Sequence, residues 1–260
     1  MGNRRGWELR GGELRGWELR GWELRGWESP RLGTPRLGTP RPGPVRMIYW
    51  LSKVLLKTLC LLFFRVQGHN AGNIPRTGGY LLVSNHASNL DPLLVGVVCG
   101  RRLDFLAKVE LFRVPLLKHW LHAVGAHPIQ RGKGDRKALA EAIRLIREGN
   151  ILVAFPEGTR TSDGNLQSGK PGVAMIAAQA GAPCIPAYID GSFRAWPRDR
   201  KILRPAKIHV WYGEPFPLPE RPKGTATREY YQQCADEMMS RIDALRRESL
   251  ACKDRKIKAR

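Results

Sequence analysis

The chain has few cysteines and no pattern that would pair them. Five cysteines occur among 260 residues, without a C-x2-C pair or any other spacing typical of zinc ligands: Cys60, Cys99, Cys184, Cys234 and Cys252. Their odd number and wide scatter argue against the disulfide framework of small secreted proteins and against a structural zinc site. We therefore expect free, buried thiols in a reducing compartment, and no bound metal.

A long apolar run without charges is also missing. Residues 47–64 read MIYWLSKVLLKTLCLLFF and are interrupted by Lys53 and Lys57. On a helix, these two lysines and Arg46 fall within about 40° of one another, and apolar side chains cover most of the rest. This pattern favours a helix that lies in the membrane interface over one that spans it, and no small-residue cleavage site follows to indicate a signal peptide. The alternative is an amphipathic helix packed on the protein's own core.

Acidic residues are scarce compared with basic ones. The chain has 44 Lys and Arg against 23 Asp and Glu, a formal net charge of +21. Residues 1–46 contain ten Arg and five Glu, so a charge of +16 remains on residues 47–260. Such a charge indicates a polyanionic partner, either nucleic acid or an anionic membrane surface. A basic binding protein without catalytic activity is thus a rival hypothesis, but no nucleic-acid-binding module is recognisable, and we expect no nucleic-acid partner.

Residues 1–46 lack the composition of a folded domain. Residues 6–28 repeat the unit Gly-Trp-Glu-Leu-Arg, and residues 30–44 are rich in Pro, Gly and Arg. A period of five fits no solenoid, and Gly and Pro oppose helix and sheet, so we expect a disordered leader. Because Met47 follows directly, our hypothesis is that the native start is Met47. The expected organisation is a leader at 1–46, a membrane-associating helix at 47–68, the main domain at 69–250 and a basic tail at 251–260.

The main domain alternates apolar strands with helical patterns. Strands are predicted at 80–84, 103–107, 151–155, 185–189 and 207–212, and helices at 92–99, 136–148, 171–180 and 228–248. For the helix at 136–148, Asp135 is the predicted N-cap. The alternation predicts an α/β fold with a mixed, largely parallel sheet flanked by helices, and ligands bind such sheets at the ends of their strands.

A histidine and an aspartate stand five positions apart in S-N-H-A-S-N-L-D-P, residues 84–92. Asp91 followed by Pro92 predicts a helix start, since Asp accepts from free backbone N–H groups. If the turn brings the His86 ring back to Asp91, the carboxylate accepts the Nδ1 proton and leaves Nε2 as a base. The spacing alone fits equally an aspartate that only caps the helix, beside an ordinary loop histidine. No G-x-S-x-G motif supports an acyl-enzyme hydrolase, and further zinc ligands are missing.

Cationic residues follow several predicted strands. The segment F-P-E-G-T-R comes after one of them, with Gly158 for close backbone approach, Thr159 for a hydroxyl and Arg160 for a planar fork suited to phosphate. Arg131 lies in a glycine-rich turn, and Lys108 lies just past another strand. Each alone would be an ordinary surface charge. Together, on strand-end loops near one histidine, they predict an anion-binding site.

Two apparent nucleotide motifs fail on inspection. Residues 164–171 match G-x4-G-K, but Pro171 stands where a P-loop needs Ser or Thr, and no strand directly precedes Gly164. The segment R-G-K-G-D lacks the third glycine of a dinucleotide-binding turn. We therefore predict no nucleotide cofactor.

Four segments together resemble the motifs of the glycerolipid acyltransferases. They are N-H-A-S-N-L-D at 85–91, Gly125 to Arg131, F-P-E-G-T-R at 155–160 and I-P-A-Y at 185–188. The resemblance is to the 1-acylglycerol-3-phosphate (lysophosphatidic acid) acyltransferase branch, and it covers about residues 47–220. It implies that residues 69–250 are an acyltransferase domain.

The resemblance implies acyl transfer without a covalent intermediate and without a cofactor. His86, oriented by Asp91, would deprotonate the sn-2 hydroxyl of a lysophospholipid, which attacks the thioester of acyl-CoA or acyl-acyl-carrier-protein (acyl-ACP). Residues implied to hold the acceptor's phosphate and to shape its binding floor are Lys108, Arg131, Glu157, Gly158, Thr159 and Arg160.

The resemblance also implies partners and a location. They are the membrane phospholipid surface at the cytoplasmic face, a lysophospholipid acceptor, and acyl-CoA or acyl carrier protein, with the N-terminal helix docked on the membrane. His127 departs from the family pattern at a position where an aromatic or aliphatic residue is common, and Gly169, before Lys170, departs where an aromatic residue is common. The acceptor therefore stays open between lysophosphatidic acid, another lysophospholipid, an ornithine lysolipid and glycerol 3-phosphate.

Overall fold

The structure, a computed structural model, describes residues 43–129, 136–200 and 202–258. Most of the predicted leader lies outside these ranges, and so do Asp135, the predicted N-cap, and Arg131. The described part of the leader, residues 43–46, forms the start of the first helix.

Seven α-helices and seven strands occur among the described residues. The helices are α1 (Gly43–Phe64), α2 (Asp91–Val98), α3 (Pro115–Ala123), α4 (Arg136–Arg147), α5 (Pro171–Ala180), α6 (Ser192–Ala195) and α7 (Thr227–Lys258). The strands are β1 (Gln67–His69), β2 (Tyr80–Ser84), β3 (Leu103–Lys108), β4 (Ala126–Ile129), β5 (Ile151–Ala154), β6 (Cys184–Asp190) and β7 (His209–Tyr212). Every predicted strand and helix of the main domain is present. Helix α7 is longer than predicted, because it continues through most of the segment expected to be a basic tail.

The strands form one sheet in the order β1-β7-β6-β2-β5-β3-β4. All neighbours pair in parallel except β6 and β7, which are antiparallel. The predicted α/β fold with a mixed, largely parallel sheet is thus confirmed. Since β2, β3, β4, β5 and β6 run the same way, their carboxyl ends meet at one edge of the sheet, where ligands of such folds bind.

The two strands missed by the sequence prediction are the two edge strands. β1 has only three residues and contains Gly68, and β4 reads A-H-P-I with Pro128 in its middle. Gly and Pro lower strand propensity, and Pro is tolerated mainly at sheet edges, where its missing N–H breaks no ladder. The hydrophobic pattern therefore carried no strand signal at either edge.

The sheet separates two apolar cores. In β2, Leu82 faces the core formed with α1 and α2, while Leu81 and Val83 face the core formed with α4, α5 and α7. Neighbouring side chains of a strand point to opposite faces, so a strand covered on both sides reads as a continuous apolar run. This explains the uninterrupted sequence L-L-V in β2.

Helix α1 turns one of its lysines toward the protein. Lys53 donates to the backbone carbonyl of Cys99 in the segment after α2, and burial lowers the pKa of its ammonium group. Leu56, Cys60 and Phe64 pack into the first core on the same side. Of these two lysines, only Lys57 is exposed. Among the described helices, none is both long and apolar enough to cross a membrane.

Candidate active site

The turns after β2 and β5 lie side by side. The two strands are parallel neighbours, with Val83 paired to Ala154, so both chains leave the sheet at the same edge. Asn85 anchors the first turn to β6: its side-chain carbonyl accepts from the Ile189 N–H at 2.8 Å, and its amide donates to the Ile189 carbonyl at 3.1 Å. The Asn85 side chain thus continues the hydrogen bonding between β2 and β6 beyond the end of β2. It thereby holds the next residue, His86, at the edge of the sheet.

The His86 ring contacts Asp91 across this turn. His86 Nδ1 lies 2.9 Å from Asp91 Oδ2, and the Asp91 side chain is fully buried. The same oxygen accepts the backbone N–H groups of Ala87 and Ser88, both at 2.7 Å. With the carboxylate on Nδ1, the favoured tautomer carries its proton there, which leaves Nε2 with a free lone pair. The turn thus presents a base of fixed orientation.

Asp91 does not act as the predicted helix cap. Helix α2 does start at Asp91, but its N-cap position is Leu90, which makes no capping hydrogen bond through its side chain. The Asp91 carboxylate instead accepts from the turn that precedes the helix. Its position is therefore set by its contacts with residues 85–90, which we call the histidine turn. A carboxylate held in this way can orient the His86 ring.

Three further contacts hold His86. Phe155 stacks on the ring, with centroids 4.1 Å apart and planes inclined by 17°. The His86 N–H donates to Glu157 Oε1 at 3.1 Å, and the His86 carbonyl accepts from the Thr161 N–H at 2.9 Å. The motif after β5 therefore clamps the backbone and ring of His86. The role of Phe155 was not predicted from the sequence, although its place at the strand end, directly before P-E-G-T-R, was a usable signal.

Glu157 lies beneath the site, facing into the protein. It is only 1% exposed, and its Oε2 atom has no hydrogen-bond partner among the described residues. Burial raises the pKa of this carboxyl to about 7, the N–H of His86 opposes that rise, and the charge of Asp91 adds to it. Glu157 is thus placed to hold the histidine turn, and a substrate could reach it only through a change of this packing.

The raised pKa of Glu157 should make stability depend on pH. Below the ordinary pKa of 4.5 the carboxyl is protonated in both the folded and the unfolded protein. As the pH rises from there to about 7, only the unfolded chain releases the proton. The free energy of unfolding therefore decreases across this window. The loss is on the order of 3 kcal/mol. Urea denaturation of the wild type and Glu157→Gln at a series of pH values will measure it. We expect a flatter profile for the variant; parallel profiles would show that Glu157 has an ordinary pKa.

The turn after Glu157 is closed by Gly158 and covered by Lys170. Gly158 has φ +70°, a conformation that favours glycine, and its N–H donates to the Phe155 carbonyl at 2.9 Å. A Cβ at this position would lie 3.0 Å from Lys170 Cδ and 3.4 Å from its Nζ, so the lysine side chain lies on the glycine. Lys170, which immediately precedes α5, was not predicted to be a site residue. Its backbone N–H donates to the Pro156 carbonyl at 2.8 Å.

Arg160 provides a second cation at this turn. Its side chain is half-buried, and its Nη1 atom is buried without a hydrogen-bond partner in the described part of the chain. Thr159, beside it, is exposed. A buried guanidinium nitrogen without a partner costs free energy, and an anionic ligand would satisfy it.

The backbone of Lys108 ends β3 at the same sheet edge, beside Ile129 at the end of β4. The side chain of Lys108 lies outside what the structure describes, as does all of Arg131, two positions after Ile129. The topology therefore brings the ends of these two strands to the site, and the role of both cations stays a prediction.

The two departures from the family pattern have structural explanations. His127 lies between two carboxylates, with Nε2 at 3.0 Å from Asp104 Oδ1 and Nδ1 at 3.1 Å from Glu141 Oε1. It thereby links β3, β4 and α4. At Gly169, a Cβ would lie 2.9 Å from the Ala235 carbonyl of α7, so the backbone of α7 takes the space of a side chain.

Comparison with known proteins points to one family. Residues 65–190, just under half of the chain, match the family Acyltransferase. This range includes His86, Asp91 and the segment from Glu157 to Arg160. The resemblance to the acyltransferases and the O-acyltransferase class predicted from the motifs are confirmed by this match together with the names of the relatives.

Several relatives of this chain are named 1-acyl-sn-glycerol-3-phosphate acyltransferase. The chain is 27% identical to the 1-acyl-sn-glycerol-3-phosphate acyltransferase of Bacillus subtilis over 197 residues, covering 73% of this chain and 96% of that protein. It is 35% identical over 141 residues to a protein of the same name from Limnanthes alba, covering 52% of this chain and 50% of that one.

A solved structure resembles the same fold. The crystal structure of the 1-acyl-sn-glycerophosphate (LPA) acyltransferase PlsC from Thermotoga maritima matches with a TM-score of 0.61 and 28% sequence identity. The match covers 78% of this chain and 79% of that one. The sheet and its flanking helices therefore have the same overall fold as that structure.

Proposed function

We propose that the protein is a 1-acylglycerol-3-phosphate O-acyltransferase that makes phosphatidic acid. The acyl donor is acyl-CoA or acyl-ACP, and the acceptor is lysophosphatidic acid at its sn-2 hydroxyl. The observation that carries the proposal is the 2.9 Å contact between His86 Nδ1 and the buried Asp91. The cationic side chains of Arg160 and Lys170 lie at the neighbouring turn after β5. The names of the relatives support the acceptor assignment.

The contact supports a direct transfer. His86 Nε2 accepts the proton of the sn-2 hydroxyl while that oxygen attacks the thioester carbonyl carbon. Asp91 stabilises the imidazolium that forms, since its carboxylate already accepts from Nδ1. Collapse of the tetrahedral intermediate breaks the C–S bond, and the imidazolium returns its proton to the departing thiolate. The products are phosphatidic acid and a free thiol.

The cations at the second turn suit the acceptor's phosphate. Arg160 supplies the buried guanidinium nitrogen that lacks a partner among the described residues, and Lys170 adds an ammonium group above Gly158. We propose that both bind the phosphate, together with Lys108 and Arg131. This favours a phosphate-bearing acceptor over an ornithine lysolipid, whose head group has an amine and a carboxyl in place of a phosphate.

Helix α1 supports attachment to a membrane, and we propose that the attachment is at the cytoplasmic face. One side of the helix packs on the core, and the other exposes large apolar side chains: Met47, Trp50, Leu51, Val54, Leu55, Leu59, Leu61, Leu62 and Phe63. A contiguous apolar surface of this kind indicates a lipid or protein partner. We propose a lipid surface, because the substrate is a lipid and Lys57 lies exposed on the same helix.

A thiol-release assay tests the proposed activity. Purified protein in detergent is given acyl-CoA or acyl-ACP with lysophosphatidic acid, another lysophospholipid, an ornithine lysolipid or glycerol 3-phosphate. We expect the highest kcat/KM with lysophosphatidic acid. Equal or higher efficiency with another acceptor would overturn the acceptor assignment, and no thiol release with any acceptor would overturn the activity.

A further inference from the structure

The segment between α6 and β7 exposes apolar side chains next to cations. Ile202 is 75% exposed and Leu203 is 37% exposed. Arg200, Arg204 and Lys207 are exposed around them, and none of the three forms an ion pair with another described residue. We call residues 198–200 and 202–207 the basic loop.

The basic loop returns to the sheet beside the end of α1. The Ile208 N–H donates to the Phe64 carbonyl at 3.1 Å, and the Gln67 N–H donates to the Ile208 carbonyl at 2.9 Å. The last turn of α1 exposes Leu62 by 78% and Phe63 by 48%. The residue that directly follows the loop is therefore joined to the last residue of α1 by a backbone hydrogen bond.

The basic loop is also tied to the histidine turn. The Trp196 carbonyl accepts from Ser88 Oγ at 2.8 Å, and Trp196 Nε1 donates to the Arg200 carbonyl at 2.8 Å. On its other side, the Arg204 N–H donates to the Ala195 carbonyl at 2.9 Å. A partner that fixes this loop would thus fix the orientation of the residues around His86.

We propose that the basic loop is a second membrane-contacting element, which binds an anionic lipid surface. Ile202 and Leu203 enter the boundary between head groups and acyl chains, and Arg200, Arg204 and Lys207 bind lipid phosphates. A single exposed isoleucine is ordinary, but two adjacent apolar side chains among unpaired cations match the chemistry of an anionic interface. Asp199, also exposed, is the single acidic residue in this loop against its exposed cations.

Membrane contact through both α1 and the basic loop would fix the orientation of the domain on the membrane, which contact through α1 alone would not. A single helix allows the domain to rotate about it, whereas a second contact on a linked segment fixes the orientation and raises the overall affinity. The inference rests on the proposed function, since it assumes that the protein works on a membrane lipid. The contact through Ser88 then holds the histidine turn in a constant orientation relative to the surface that supplies the acceptor.

Insertion of the loop can be measured with an environment-sensitive fluorophore on Ile202→Cys. The background is Cys252→Ser in the full chain, because Cys252 is half-exposed and the other four cysteines are buried. With vesicles of phosphatidylcholine and phosphatidylglycerol, we expect a blue shift and brighter emission at position 202. The matched control is Lys223→Cys, exposed in the segment after β7, which should show neither change.

The charges are tested by vesicle flotation of Arg200→Gln/Arg204→Gln. Binding to the same vesicles should weaken about fivefold for each charge removed, and the weak binding to pure phosphatidylcholine should not change. The control Lys223→Gln/Arg228→Gln removes two exposed cations elsewhere and should bind as the wild type does.

Several results would overturn the inference. One is co-flotation of the labelled protein with vesicles without a spectral change at position 202. Another is a double variant that binds vesicles normally but has a raised KM for the acyl donor, which would assign the loop to the donor. A protein that does not float at all would remove both membrane contacts. Thiol release with detergent-solubilised acceptor would still report on the proposed activity, so the two failures are distinguishable.

Discussion

Replacing His86 by alanine should lower kcat for acyl transfer by a factor of about 10²–10⁴, the usual contribution of a positioned general base. The ring is held by Asp91, Phe155 and the backbone, so the side chain has one orientation in which Nε2 can meet the hydroxyl. Thiol release at saturating donor and acceptor measures the effect. KM for the acceptor should change little, because the proposed phosphate contacts lie on another turn.

Two further variants separate chemistry from folding. Asp91→Asn should also lower kcat: the amide oxygen can still accept from Nδ1 and from the two backbone N–H groups, but the neutral amide no longer stabilises the imidazolium that forms. His119→Ala, an exposed histidine of α3, should keep full activity. If His86→Ala folds, as judged by circular dichroism, and keeps more than a tenth of the wild-type kcat, then His86 is not the base.

Replacing Arg160 by alanine should raise KM for lysophosphatidic acid by a factor of about 10 to 100, which corresponds to the loss of a charged hydrogen bond of 1.5–3 kcal/mol. The physical reason is the buried Nη1 atom, which has no partner in the described residues and which we assign to the phosphate. Initial rates over a range of acceptor concentrations, at saturating donor, give KM and kcat separately.

Further variants test whether the phosphate contact needs the planar guanidinium of Arg160 and how much Lys170 contributes. Arg160→Lys keeps the charge but not the planar fork, so it should recover only part of the affinity. Lys170→Met keeps the packing on Gly158 and should raise KM for the acceptor less than Arg160→Ala does. Arg228→Ala, at an exposed site in α7, is the control. A raised KM for the donor alone would move Arg160 from the acceptor site to the donor site.

Much of the central sheet could be predicted from the sequence, because its strands are buried on both faces. Their apolar runs are continuous, and turn-forming residues such as Gly, Pro and Asp mark where the strands end. The edges could not be predicted in this way. β1 and β4 are short and contain Gly68 and Pro128, so no local pattern distinguishes them from loops.

The site residues were predictable as types and the contacts between them were not. The motif spacing suggested that His86 and Asp91 meet, but it also fitted a helix cap, and only the fold shows that Asp91 serves the preceding turn. Glu157 looked like a ligand-binding carboxylate. Its burial against the His86 backbone depends on the adjacent, parallel placement of β2 and β5, which lie about 70 residues apart in the sequence.

By itself, the sequence determined the chemistry available to this protein: which strands are buried, which turns follow them, and which basic, acidic and imidazole groups those turns carry. Only the tertiary structure decided which groups face one another. It turned Lys53 inward, laid Lys170 on Gly158 and joined the basic loop to the histidine turn through Trp196. The reason is that hydrophobic patterns are local, whereas the order of strands in a sheet is set by packing between distant segments.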